Sequence, residues 1–178
     1  MDYLQRLGLM GLNARLKRLS DDLTTDMNAL YRAQGFDFEA SVFPLLMLLY
    51  QEGAMSLRKA QGFLGSSHAH ISQKAKALVE KKLITLTVDV NDKRSKTMAL
   101  TPAGHEMITA AAPLWRAMND ALADLFQSLD QRLLMTLETA EERVNARRLY
   151  DVALQNLGME SGDKSSSAAA GFDALKAA

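Results

Sequence analysis

The strongest constraint on this chain is a change of period near its middle. From residue 57 to about residue 82 apolar side chains recur at helical spacing, and directly afterwards they alternate. The helical part divides into a short segment, 57–63, a three-residue turn, Leu64-Gly65-Ser66, and a longer segment from about 67 to 82. In the longer segment Ile71, Ala75, Leu78 and Val79 share one face, while His70, Gln73, Lys74, Lys76 and Lys81 fall elsewhere. Ser66 or Ser67 stands where an N-cap is needed, because its hydroxyl oxygen accepts from an orphan backbone N–H. Two β-prone runs follow, 83–88 and 96–100, on either side of a polar, turn-forming stretch at 89–95. Two helices joined by a short turn containing Gly, with a hairpin directly behind, form a helix-turn-helix with a wing. The expected fold class is therefore mainly α with a small β-hairpin wing (α+β).

The flanks are helical. Leu4, Leu7, Met10, Gly11 and Ala14, then Leu16, Leu19, Leu23, Met27 and Leu30, predict a helix from 4 to about 31, broken at Gly35-Phe36-Asp37. A second helix begins between Ala40 and Pro44, runs to Glu52, and stops at Gly53; its apolar residues are nearly continuous, so it should be buried on most sides. Thr101-Pro102 couples an N-cap residue to Pro at the first helical position and predicts a helix from 102 to about 127. Pro113 should kink or break that helix. A further helix is expected from 129 to about 157. The organisation is then a single domain over 1–158, with dimerisation helices at 1–35 and 102–158 and a DNA-binding lobe at 40–101. The Ser/Ala/Gly-rich stretch 159–178 reads as a disordered tail or linker.

Formal net charge is zero, but the charge is not evenly spread. Residues 57–101 hold nine Lys and Arg against three Asp and Glu, a surplus of six balanced by an acidic remainder. A basic centre between acidic flanks is the electrostatic footprint of a polyanion-binding face, and taken alone it is equally that of a solvated charged face. The chain has no cysteine, which removes disulfides, thiolate nucleophiles and cysteine–zinc sites together. The longest apolar run, 42–50, is far short of the roughly 20 residues a membrane span needs. The N-terminus lacks the pattern of a signal peptide, so the chain reads as cytoplasmic. No Gly-rich phosphate loop, Gly-x-Ser-x-Gly or His-Glu-x-x-His occurs, so an enzyme is not expected, and no cofactor is called for. His68 and His70 sit two apart on a helix and point about 200° from each other, so they cannot share a metal.

Three elements carry a family resemblance. Leu78-Val79-Glu80-Lys81-Lys82-Leu83-Ile84, then Asp92-Lys93-Arg94, then Leu100-Thr101-Pro102-Ala103-Gly104 resemble, in order and spacing, the signature of the MarR family of winged helix-turn-helix regulators. The resemblance covers roughly 35–155. It implies that the segment from 67 is a recognition helix and that Asp92 holds the wing Arg in place by an ion pair. The dimer is expected on other grounds, since the helices 4–31 and after Pro102 carry more apolar face than one winged domain can cover. One position departs from the pattern: where the family usually has Gly, this chain has Lys82, at the bend from helix into wing, so the angle of the wing is the feature at stake. A looser resemblance, through Leu7-Gly8-Leu9-Met10-Gly11-Leu12 and 67–73, is to a subgroup in which such a domain precedes an acetyltransferase.

The residues expected to meet double-stranded DNA are Ser67, His68, His70, Gln73, Lys74 and Lys76 on the recognition helix, and Lys93 and Arg94 on the wing. His and Ser in the first turns supply donors to phosphates and base edges. Gln pairs bidentately with adenine, and Lys meets guanine or phosphate. An Arg at a wing tip suits a narrow minor groove. Trp115, Tyr31, Phe43, Met47 and Tyr50 are candidates for an effector pocket, though apolar residues at helical spacing more often form core. The expected function is a homodimeric, sequence-specific transcription regulator on a palindromic operator, a repressor whose affinity a small-molecule effector lowers. The alternative is a winged-helix interaction module without specific DNA binding, associated with an acetyltransferase.

Overall fold

The computed structural model describes residues 2–88 and 96–159. In chain order the elements are α1 (Tyr3–Arg6), a 3-10 turn (Gly8–Gly11), α2 (Leu12–Ala33), a 3-10 turn (Ala40–Val42), α3 (Phe43–Glu52), β1 (Met55–Ser56), α4 (Leu57–Leu64), α5 (His68–Glu80), β2 (Ile84–Val88), β3 (Lys96–Leu100), α6 (Pro102–Phe126), a 3-10 turn (Gln127–Leu129), α7 (Asp130–Ala146) and α8 (Leu149–Asn156). Two compact units are divided between Ala121 and Leu122. Among the described residues no helix is long and apolar enough to cross a membrane.

The first unit holds the core. Leu45, Leu46, Leu48 and Leu49 of α3 are buried, as the unbroken apolar run predicts, and Ala60 of α4 and Ile71, Ala75 and Leu78 of α5 close over them. The hairpin pairs antiparallel, Ile84 opposite Leu100 and Val88 opposite Lys96. Its inward side chains, Ile84 and Met98, join the same core. The sheet has a third strand that periodicity does not announce. Met55 and Ser56 pair with Met98 and Thr97, giving the order β1-β3-β2. A two-residue strand is too short to show alternation, and only its partner defines it.

Two helix expectations need correction, and at Pro113 the break, one of the two outcomes expected there, does not occur. The first helix is not continuous from residue 4, because Gly8 adopts φ +55°, which a right-handed helix cannot continue through. The chain instead turns through Gly8–Gly11 and starts again at Leu12. Pro113 does not break α6, which runs through it from Pro102 to Phe126. The missing N–H at Pro113 removes one ladder bond, while the helix is held on both sides by buried Ala111 and Met118. The stretch from 129 to 157 is two helices, not one. Arg147 is extended (φ −144°, ψ 115°) between α7 and α8, with its guanidinium donating to Gln155 Oε1 at 2.7 Å.

The second unit contains the end of α6 with α7 and α8, and α8 buries no residue. Leu125, Leu129, Leu134, Met135, Val144, Leu149, Tyr150 and Leu157 are all exposed there. In the first unit Leu9, Met10, Leu12, Leu16 and Leu19 along the start of the chain are exposed as well.

Candidate nucleic-acid interface

The helix-turn-helix is built by capping. Ser56 Oγ accepts from Lys59 N–H at 3.2 Å and starts α4. The helix closes on Gly65 in the left-handed conformation, and Ser67 Oγ accepts from His70 N–H at 3.3 Å to start α5. Of the two candidate caps, Ser67 is the one used. One lone pair of its hydroxyl oxygen is engaged by the cap, which leaves the O–H free to donate outward.

Burial orients the recognition helix. Ile71, Ala75 and Leu78 face the core at 0 to 1% exposure, which turns the opposite face to solvent. Ser67, His68, His70, Gln73 and Lys76 are exposed and Lys74 is half-buried. At 100° per residue, Gln73 and Lys76 lie at the centre of the outward face, with His70 and Lys74 on one flank and His68 and Ser72 on the other. Five of the six helix residues singled out from sequence therefore lie on the outward and flanking faces of α5, and the sixth, Ser67, is its exposed N-cap. Lys76 also pairs with Glu80 at 3.8 Å, an exposed i,i+4 contact of small energetic value. Asp92, Lys93 and Arg94 lie outside the described residues.

The far end of α5 passes into the wing through a compact corner. Lys82 has φ +58°, so this Lys occupies the left-handed position that Gly commonly takes. Leu83 N–H donates to Leu78 O and Lys82 N–H to Val79 O, both at 2.9 Å, which is the paired Schellman pattern. The start of α6 is stitched to this corner. Thr101 Oγ1–H donates to Lys82 O at 2.8 Å, Thr101 N–H donates to Leu83 O at 3.0 Å, and Gly104 N–H donates to Thr101 Oγ1 at 2.9 Å. The Leu-Thr-x-x-Gly string is thus a joint between recognition helix, wing and following helix, and Lys82 leaves its geometry intact.

A cleft of about 540 Å³ lies beside the recognition helix. One wall is His70, Gln73, Lys74 and Ala77 of α5 with its C-cap Lys81; the rest of the lining comes from Asn28 and Arg32 of α2 and from residues 36–39, 41 and 42. Lys81 Nζ meets Asp37 at 2.7 Å across it, and Ala40 N–H donates to Asn28 Oδ1 at 2.7 Å, fastening the 36–42 segment to α2. Sequence reasoning missed Arg32 here. It is separated by 42 positions from Lys74, and no local pattern links the two.

Of the aromatic residues offered as an effector pocket, Tyr31, Phe43 and Trp115 come together. Trp115 Nε1–H donates to Tyr31 Oη at 2.9 Å, and Trp115 meets Phe43 edge-on with ring centroids 5.0 Å apart. Burial raises the Tyr31 hydroxyl above its ordinary value, and the indole hydrogen bond works in the opposite direction. Tyr50 lies apart, against His105 at 5.9 Å.

Residues 39–96 match the model of the MarR family. A search of the curated proteins found no match. Solved structures share the fold. A MarR/EmrR family transcriptional regulator from Acinetobacter sp. ADP1 is 24% identical, over 76% of this chain and 95% of its own, with a TM-score of 0.63. The S. aureus MepR–DNA complex is 19% identical, over 74% of this chain and 96% of the other, at 0.62. The PcaV transcriptional regulator from Streptomyces coelicolor, bound to its natural ligand, is 17% identical over 79% and 93%, at 0.58.

Proposed function

Because the chain carries the MarR-family winged helix-turn-helix, we propose that it is a homodimeric DNA-binding transcription regulator that represses from a palindromic operator. The observation that carries this reading is the outward face of α5. Its buried face fixes the helix against a rigid core, while His68, His70, Gln73 and Lys76 stand free of that core. A helix so mounted enters a major groove about 12 Å wide with its first turns towards the base edges. Ser67, His68 and His70 donate to phosphates or bases, Gln73 reads a base, and Lys74 and Lys76 meet phosphates or guanine. Lys93 and Arg94, steadied by Asp92, would extend the contact into the flanking minor groove.

The dimer is supported by the apolar side chains left exposed on α2 and on α7 and α8, more than a monomer keeps in water. Release by a small-molecule effector is in keeping with PcaV, a fold relative solved with its natural ligand. The test is selection of an operator from random duplexes, repeated at several salt concentrations. A two-fold symmetric consensus with half-sites about 10 base pairs apart is expected. Recovery of no consensus at any salt concentration defeats the reading and favours an interaction module.

A further inference from the structure

We propose that Arg32, reaching across from α2, forms with Lys74 a subsite for a DNA backbone phosphodiester on the flank of the recognition helix. This rests on the DNA-binding reading above and adds a contact from outside the lobe that carries the helix-turn-helix.

The argument starts from the shape of the helix. An α-helix with side chains is 10–12 Å across and fills a major groove about 12 Å wide, so its flanks meet the two phosphate strands while its centre meets the bases. Gln73 marks the centre of α5, and His70, Lys74 and Lys81 mark one flank. That flank is one wall of the cleft, and Arg32 stands in the facing wall.

Charge decides what the cleft accepts. Its lining holds the cations Arg32, Lys74 and Lys81 and the anions Asp37 and Glu39. Lys81 and Asp37 neutralise each other at 2.7 Å. Among the described residues neither Arg32 nor Lys74 has an ion-pair partner, so two cations face Glu39 and the balance is positive. Asn28 Oδ1 is already committed to Ala40 N–H. Arg32 is exposed and its planar fork suits two oxygens of one phosphate, while Lys74, half-buried in the lining of the same cleft, supplies a point charge. The Ala40–Val42 turn packs against both α2 and α5 and is hydrogen-bonded to Asn28, so it links the two walls; the exposed Lys81–Asp37 pair adds little.

The experiment is a salt titration of duplex binding for wild type, Arg32→Gln, Arg32→Lys and Lys17→Gln. Lys17 lies on the same helix but pairs with Asp21 and lines no part of the cleft, so its loss controls for net charge. Sedimentation and melting temperature confirm that each variant keeps its assembly and fold. Arg32→Gln should flatten the dependence of log K on log salt by roughly 0.9 per subunit. A dimer would then lose about tenfold less affinity than wild type between 50 and 200 mM salt, equally on specific and random duplexes. Arg32→Lys should restore most of the slope, and Lys17→Gln should leave it unchanged. An Arg32→Gln slope equal to wild type overturns the subsite, as does an equal flattening by Lys17→Gln or a failure of Arg32→Lys to restore it. A wild type that binds no duplex defeats the DNA-binding reading and the subsite with it.

Discussion

Gly104 lies so close to the carbonyl oxygen of Leu83 that a Cβ on it would sit 2.2 Å from that oxygen. The contact joins the first turn of α6 to the residue that leads out of the recognition helix. Neither side can give way easily, since Leu83 O already accepts Thr101 N–H and Leu83 N–H is bound to Leu78 O. Gly104→Ala should therefore cost about 3 kcal/mol or more, at the upper end for overpacking. Urea unfolding checks this; a loss below about 0.5 kcal/mol would show that the joint is soft.

Lys82 gives the opposite sign. A left-handed backbone costs an L-residue roughly 1–2 kcal/mol, and Gly is free of that cost but loses more chain entropy on folding. Lys82→Gly should raise stability by up to about 1 kcal/mol, with the corner unchanged. A destabilised variant would mean that the Lys82 side chain makes contributions that outweigh its backbone strain.

Tyr31 is 2% exposed and accepts the Trp115 indole N–H. Tyr31→Phe leaves that donor without its acceptor and should cost about 1 kcal/mol, read from denaturant unfolding followed by the emission of the single tryptophan. The raised hydroxyl adds a pH effect, because burial favours the neutral phenol in the folded state. Its contribution is complete below the ordinary value of 10.0 and is lost as pH climbs through the higher folded value. The variant should show a smaller alkaline loss of stability than wild type, and an equal loss would assign that effect to other groups.

On the recognition helix, Gln73→Ala should relax preference at one operator position by about 1–3 kcal/mol. Lys76→Ala should weaken all sequences more evenly, and its exposed pairing with Glu80 should do little to blunt the effect. Binding profiles over a set of operator variants separate the two. If both substitutions leave the profiles unchanged, α5 does not read DNA.

Sedimentation of the full chain at micromolar concentration should give about twice the chain mass, because leucines on α2, and others on α7 and α8, are exposed among the described residues. A monomer there would remove the argument for a palindromic operator.

What sequence alone settled about this protein is local and periodic. The switch of period placed α4, α5, β2 and β3 within a residue or two, since burying one face of a helix or hairpin writes itself into the order of apolar residues. Caps are as local, and Thr101-Pro102 and Ser67 stand where their chemistry requires. Gly104 was legible as a motif residue but not as a contact. Its reason is the Leu83 oxygen, reached only when the hairpin brings residue 83 back beside residue 101. The β1 strand, the Tyr31–Trp115 bond and the cleft that sets Arg32 opposite Lys74 were decided by the tertiary structure in the same way. Each joins segments distant in the chain, and such a pairing leaves no periodic trace in either segment. Pro113 shows the reverse: its local effect is to interrupt a helix, and packing at Ala111 and Met118 offsets it.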